Sequence, residues 1–232
     1  MSRRTVFDLA TFDFEKHYIR IYNKVNRFLK DFNIEKYINF KHVTKLNNCL
    51  ECHIQISEPI SHEQAKKKLF KLFVNEPSYL VESELRSNKD LFVPGKGIRN
   101  YQFDIFVINV PNFINFRSTI RDHIENGTNL ILDELKELEQ NLYFAVEADG
   151  GGHSEEKDAV RDRFFFSNYN IVTVRFPVYM LVPMEETKKM KRIRSKYNIY
   201  RPYPDQPFFH NITTEQIVDK ARNIYQSKFS HL

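Results

Sequence analysis

The chain has 232 residues, with 35 Lys and Arg against 30 Asp and Glu, a formal net charge of +5 and two cysteines. That length admits one large domain, or a core with an added subdomain, and two cysteines exclude a disulfide scaffold. No apolar run is long enough to span a bilayer and none follows a basic start as a signal peptide would, so a soluble cytoplasmic protein is expected.

In chain order, "EKHYIRIYNKVNRFLKDF" repeats Tyr18, Ile21, Tyr22, Val25, Phe28 and Leu29 at helical spacing. "CLECHIQIS" alternates as a strand does. Its Cys49 and Cys52 form half of a zinc site, which His42, His53 or His62 would have to complete; the plainer reading is two small residues at a strand start. "SHEQAKKKLFKLF" reads as a helix capped by Ser61, and "YLVESELR" alternates weakly. "SNKD" and "PGKG" are turn signals. "YQFDIFVIN" reads as a strand with Tyr101, Phe103, Ile105 and Val107 on one face and Asp104 on the other, stopped by Pro111. A mainly helical stretch follows, then the apolar strand "NLYFAVEAD", a helix capped by Ser154, and the strand "IVTVRF" closed by Pro177. The basic run "KKMKRIRSK", a proline-rich loop and a last helix from about Thr214 end the chain.

This order predicts an α/β fold with a mixed sheet and helices packed on it. The expected units are an N-terminal helical and strand extension (1–60), a core (61–177) with a helical insertion at about 112–140, and a basic C-terminal extension (178–232).

Two acids stand out where "YFAVEAD" meets "GGGH". Side chains alternate along a strand, so Glu147 and Asp149 point to the same side. Neighbouring carboxylates raise each other's pKa and are costly in a sheet core. At a strand end they become favourable when a divalent cation bridges them. Asp104 is a third acid in a separate segment, and three oxygen ligands suit magnesium or manganese. The alternative is structural: Glu147 and Asp149 cap backbone amides or pair with nearby lysines.

The segments "FDIFVIN" and "YFAVEADGGGHSEEKDAVRDRFFFSNYNIVTVRF" resemble the PD-(D/E)XK nuclease superfamily, in the branch of the very-short-patch-repair endonuclease. That branch shows an Asp in a strand, an E-x-D-G-x-x-H turn, a D-x-x-R helix and a V-x-R-F strand. Here these fall on Asp104; on Glu147, Asp149, Gly150 and His153; on Asp158 and Arg161; and on Val174, Arg175 and Phe176. The resemblance covers roughly 61–177 and implies a restriction-endonuclease-like fold. It also implies a Mg2+- or Mn2+-dependent endonuclease acting on nucleic acid, with DNA expected before RNA.

The implied metal ligands are Asp104, Glu147, Asp149 and a glutamate of the first core helix, Glu63 or its rival Glu84. His153 is implied as proton shuttle or phosphate donor. Asp149 occupies the usual motif lysine position, so Lys157 or His153 is the candidate replacement. Arg161 and Arg175 are candidates for holding phosphate, although Asp158 and Arg161, three apart on a helix, also read as a plain surface pair. Lys188, Lys189, Lys191, Arg192 and Arg194, followed by Tyr197, Tyr200 and Tyr203, suit a nucleic-acid backbone with stacked bases, or simply a solvated loop.

Two other readings stay open: a catalytically degenerate module of this fold that binds RNA or DNA, as the similar RAP domain does, and a subunit of a larger nuclease assembly, with a homodimer among the options. The missing lysine favours the module. Retained acids favour the enzyme, because a pure polyanion binder gains nothing from negative charge at its centre.

Overall fold

The computed structural model describes residues 13–34, 60–150, 154–182 and 212–229. The elements are α1 (Phe14–Phe32), α2 (Ile60–Phe73), β1 (Tyr79–Ser83), β2 (Leu91–Val93), β3 (Gly97–Arg99), β4 (Ile105–Asn109), α3 (Val110–Asn126), α4 (Leu132–Gln140), β5 (Tyr143–Asp149), α5 (Glu155–Tyr169), β6 (Val172–Pro177), the single turn α6 (Val178–Leu181) and α7 (Thr214–Phe229). The central sheet has the order β1-β4-β5-β6. The pairs β1–β4 and β4–β5 are antiparallel and β5–β6 is parallel, with α5 making the crossover that a parallel pair requires. The architecture is therefore mixed α/β, a mixed sheet flanked by helices.

Each sheet face is closed by its own apolar cluster. On one, Tyr18, Val25 and Phe28 of α1 pack with Phe113 of α3, Leu135 of α4, Phe165 of α5 and the sheet residues Phe106 and Tyr143. On the other, Leu69 and Phe73 of α2 and Ile217 and Tyr225 of α7 meet Val107, Val146 and Val174. Both ends of the described chain thus belong to the packed layers. The Tyr225 hydroxyl lies 2.9 Å from the Tyr143 carbonyl and 2.8 Å from that of Asn170, fixing α7 to the centre of the sheet.

Burial on both faces corrects one expectation. Alternation puts Tyr101 and Phe103 on one face with Ile105 and Val107, but the two pairs fall in opposite clusters. The strand begins only at Ile105, and Asp104 lies in the bend before it. The two caps also differ from expectation. Ser61 lies inside the first turn of α2, which starts at Ile60. Ser154 occupies the position before α5 but makes no capping bond with its side chain; its carbonyl accepts from Asp158 N–H at 2.9 Å.

The turn signals of 87–97 resolve into a β-hairpin that the sequence pattern did not reveal. β2 pairs antiparallel with β3. Between them Val93-Pro94-Gly95-Lys96 forms a tight turn, Lys96 N–H donating to Val93 O at 3.0 Å with Gly95 at φ 75°. Proline then glycine at the two central positions is the chemistry of a type II turn, whose third residue needs positive φ. The hairpin rises from a fixed base. Ser87 N–H donates to Tyr101 O, and Tyr101 N–H to Ser87 Oγ, both at 2.8 Å. Asn88 N–H donates to Asp31 O at 2.7 Å, while the Lys89 amine pairs with the buried Asp31 carboxylate at 2.8 Å. Ser87→Ala would orphan the Tyr101 amide beside a buried side chain. The expected loss is about 1–2 kcal/mol in denaturant unfolding, with Ser87→Thr recovering part of it.

Cys49, Cys52, His42, His53, His153, the predicted strand at 49–57, the basic run 188–196 and its tyrosines lie outside the described residues. Among those described, no helix is long and apolar enough to cross a membrane.

Candidate functional site

The β4–β5 ladder ends at the pair Ile105–Val146. Backbone amides just beyond it would lack partners, and the two acids supply them. Asp104 N–H donates to Glu147 Oε1 at 3.3 Å, and Ala148 N–H donates to Asp104 Oδ2 at 2.9 Å. Each carboxylate thus holds the backbone beside the other. Two segments far apart in sequence meet at one end of the central strands, and the meeting is fixed by reciprocal bonds.

Alternation places Glu147 on the side of Tyr143 and Ala145, under α5. It is only 7% exposed. Burial pushes its pKa well above the usual carboxylate range; the Asp104 charge adds to this, Arg175 and the Asp104 amide oppose it, and Asp149 adds a little more.

Asp149 turns to Arg175, whose Nη1 donates to its Oδ1 at 2.8 Å. The same guanidinium forks onto Asp162, Nε at 3.0 Å and Nη2 at 2.8 Å. Burial works against the Arg175 charge, but Asp162, then Glu147 and Asp149, outweigh it and raise its pKa above the ordinary arginine value. Arg175 therefore positions Asp149 and ties β6 to α5. Arg161 pairs with Asp158, as the i,i+3 spacing predicts. The surface location expected for that pair is corrected: each residue is 5% exposed. The Arg161 Nε is buried without a hydrogen-bond partner. Lys157 is exposed on the first turns of α5.

Helix α2 brings His62, which the sequence offers only as a zinc candidate, to this site. His62 Nε2 donates to the Ala148 carbonyl at 2.7 Å and lies 3.8 Å from Asp104 Oδ2. The signal was its place in the stripe His62, Lys66, Leu69, Phe73, which is the sheet-facing side of the helix. Lys66, nearly buried, pairs with Glu84 Oε1 at 2.9 Å. Glu84 holds a left-handed backbone at φ 56° and donates its N–H to Asp104 O at 2.8 Å, so it braces the bend that presents Asp104. Glu63 turns instead to Lys67, one turn along its own helix, at 3.0 Å.

The expected quartet of metal ligands is therefore not assembled. Asp104 and Glu147 are together; Asp149 is committed to Arg175 and Glu63 to Lys67. Among the described residues no group of three or more His, Cys, Asp or Glu side chains is arranged to hold a metal ion. The pair that does form has the right donor chemistry for a hard cation. Mg2+ keeps most of its waters and is commonly held by one or two carboxylates with a substrate phosphate completing the shell. No family model, curated protein or solved structure matches this chain.

Proposed function

We propose that this chain is a metal-dependent nuclease of restriction-endonuclease-like fold, hydrolysing phosphodiester bonds of nucleic acid, DNA before RNA. The observation that carries the reading is the Asp104–Glu147 pair. Two carboxylates from separate segments converge at the end of the central strands, one of them buried and disfavoured as an anion. A cation between them offsets that cost. The segments that bear the sequence resemblance support the reading too, since β4, β5 and β6 are neighbours in the sheet and α5 packs on β6.

Asp104 and Glu147 would hold Mg2+ or Mn2+, which supplies charge neutralisation at the phosphate and lowers the pKa of water. The chain's own groups do the rest. Arg175 fixes Asp149 beside the pair through its 2.8 Å bond. Arg161 offers a buried donor without a partner for a phosphate oxygen. His62, held by its Nε2–H on the Ala148 carbonyl, adds a polar group 3.8 Å from Asp104.

A second reading is the degenerate binding module. It is favoured by the commitment of Asp149 to Arg175 and by the backbone bonds that satisfy Asp104 and Glu147 without any ion. Plasmid, linear duplex and single-stranded substrates, with and without Mn2+, separate the two. Cleavage that requires the cation, together with a Mn2+-induced rise in melting temperature absent from Glu147→Ala, is the result expected of the enzyme. Retention of nucleic acid without cleavage, indifferent to the cation and unchanged in Glu147→Ala, would establish the module instead.

A further inference from the structure

We propose that the β2–β3 hairpin is a nucleic-acid wedge, in which Phe92 and Ile98 pack against an unstacked base while Lys96 and Arg99 hold the adjoining phosphates. The inference takes its substrate class from the reading of the carboxylate site above.

Phe92 and Ile98 are directly opposed across the hairpin. They are 66% and 75% exposed, the highest values among the large apolar side chains described. Their neighbours Leu91 and Val93 face inward and are buried, so the hairpin is anchored by one face and presents the other. This two-residue apolar face, which the described residues leave exposed, is costly to hold in water. Nor is the exposure that of a loose loop, because the hairpin base is clamped by the Ser87–Tyr101 bonds and by Asp31.

Charge selects the occupant. Between Arg86 and Arg99 the chain carries Arg86, Lys89, Lys96 and Arg99 against Asp90 alone. Lys89 is used by Asp31; the exposed Arg86, Lys96 and Arg99 have no ion-pair partner among the described residues. The Lys96 amine at the tip is within electrostatic reach of the carboxylate site: loss of water, then Arg161 and Arg99, lower its pKa, and Glu147 acts on it in the opposite sense. Tyr101, at the hairpin base, feels Glu147, Arg161 and Arg175 and packs on Phe165 of α5 at 4.5 Å. Two apolar side chains are too little surface for a stable dimer or a membrane anchor. They match the area of one base, and the cations beside them match its phosphates.

The test uses short fluorescein-labelled duplex and single-stranded DNA of one sequence, with 2-aminopurine as the reporter of unstacking. The variants are Phe92→Ser/Ile98→Ser and Lys96→Gln/Arg99→Gln, each in the wild-type and Glu147→Ala backgrounds. The apolar variant is expected to weaken binding about five- to a hundredfold, with an unchanged salt slope and loss of the 2-aminopurine signal. The cationic variant is expected to reduce the slope of log K against log salt by roughly one per charge removed. The single-strand arm tells whether the base must first leave a duplex. Nucleic-acid affinity of the apolar variant within twofold of wild type overturns the wedge, whether or not that variant loses binding to phosphatidylserine vesicles or a self-association equilibrium. A hairpin effect that persists while the wild type cleaves nothing keeps the wedge and discards the hydrolytic reading; intact cleavage with no hairpin effect does the reverse.

Discussion

Glu147→Gln is expected to lower cation-dependent cleavage by about 10²–10³-fold, the scale of removing one preorganised electrostatic group from a reaction centre, while making the folded protein more stable near neutral pH. The two effects have one cause. Glutamine keeps the shape of the side chain and an oxygen to accept the Asp104 N–H, but it does not bring a second negative charge to Asp104. In the wild type the folded pKa of Glu147 lies well above its ordinary value of 4.5. From that ordinary value up to the raised one the folded chain binds more protons than the unfolded chain, so stability falls as pH rises through the interval. The variant escapes that fall. Its melting temperature should exceed the wild type's by roughly 2–4 °C at neutral pH, and the gap should close as pH drops below the ordinary carboxylate range. Thermal scans across pH in chelator measure this directly. Equal melting curves at every pH would show that Glu147 ionises freely, and the reasoning from the carboxylate pair would fail.

The second large effect is structural. Phe28→Ala should destabilise the protein by about 3–5 kcal/mol, the usual cost of a phenylalanine-sized cavity in a packed core. Phe28 is fully buried, stacked on Phe106 at 5.0 Å and on Tyr143 at 4.8 Å. Those partners lie on β4, which begins just after Asp104, and on β5, which carries Glu147. Urea unfolding should show one transition with a lower midpoint. If α1 were an appendage to an independent core, the main transition would not move. Phe92→Ala is the control, since its exposed ring should leave stability within about 0.5 kcal/mol of wild type.

These two residues were legible in the sequence to different degrees. Phe28 belongs to a helical stripe whose period alone places it on the buried face of α1. Glu147 and Asp149 were readable as neighbours on one side of a strand, because alternation fixes that much. Their partners were not. Arg175 and Asp162 come from segments whose approach depends on the parallel pairing of β5 with β6. The faces of β4 were misread because a central strand buried on both sides gives a continuous apolar run, in which alternation carries no signal. The hairpin escaped because β2 and β3 are three residues each, too short for any period to show. His62 escaped because a polar residue within an apolar stripe reads as an interruption, until the carbonyl it serves is in view.

The contact between Asp104 and Glu147 spans 43 positions of sequence. Two helices intervene, so this pairing depends on long-range chain closure rather than on local structure. A nascent or partly folded polypeptide accordingly carries the two acids apart and has no place for the cation they would share. On the nuclease reading proposed above, closing β4 onto β5 would then also be the step that arms the enzyme.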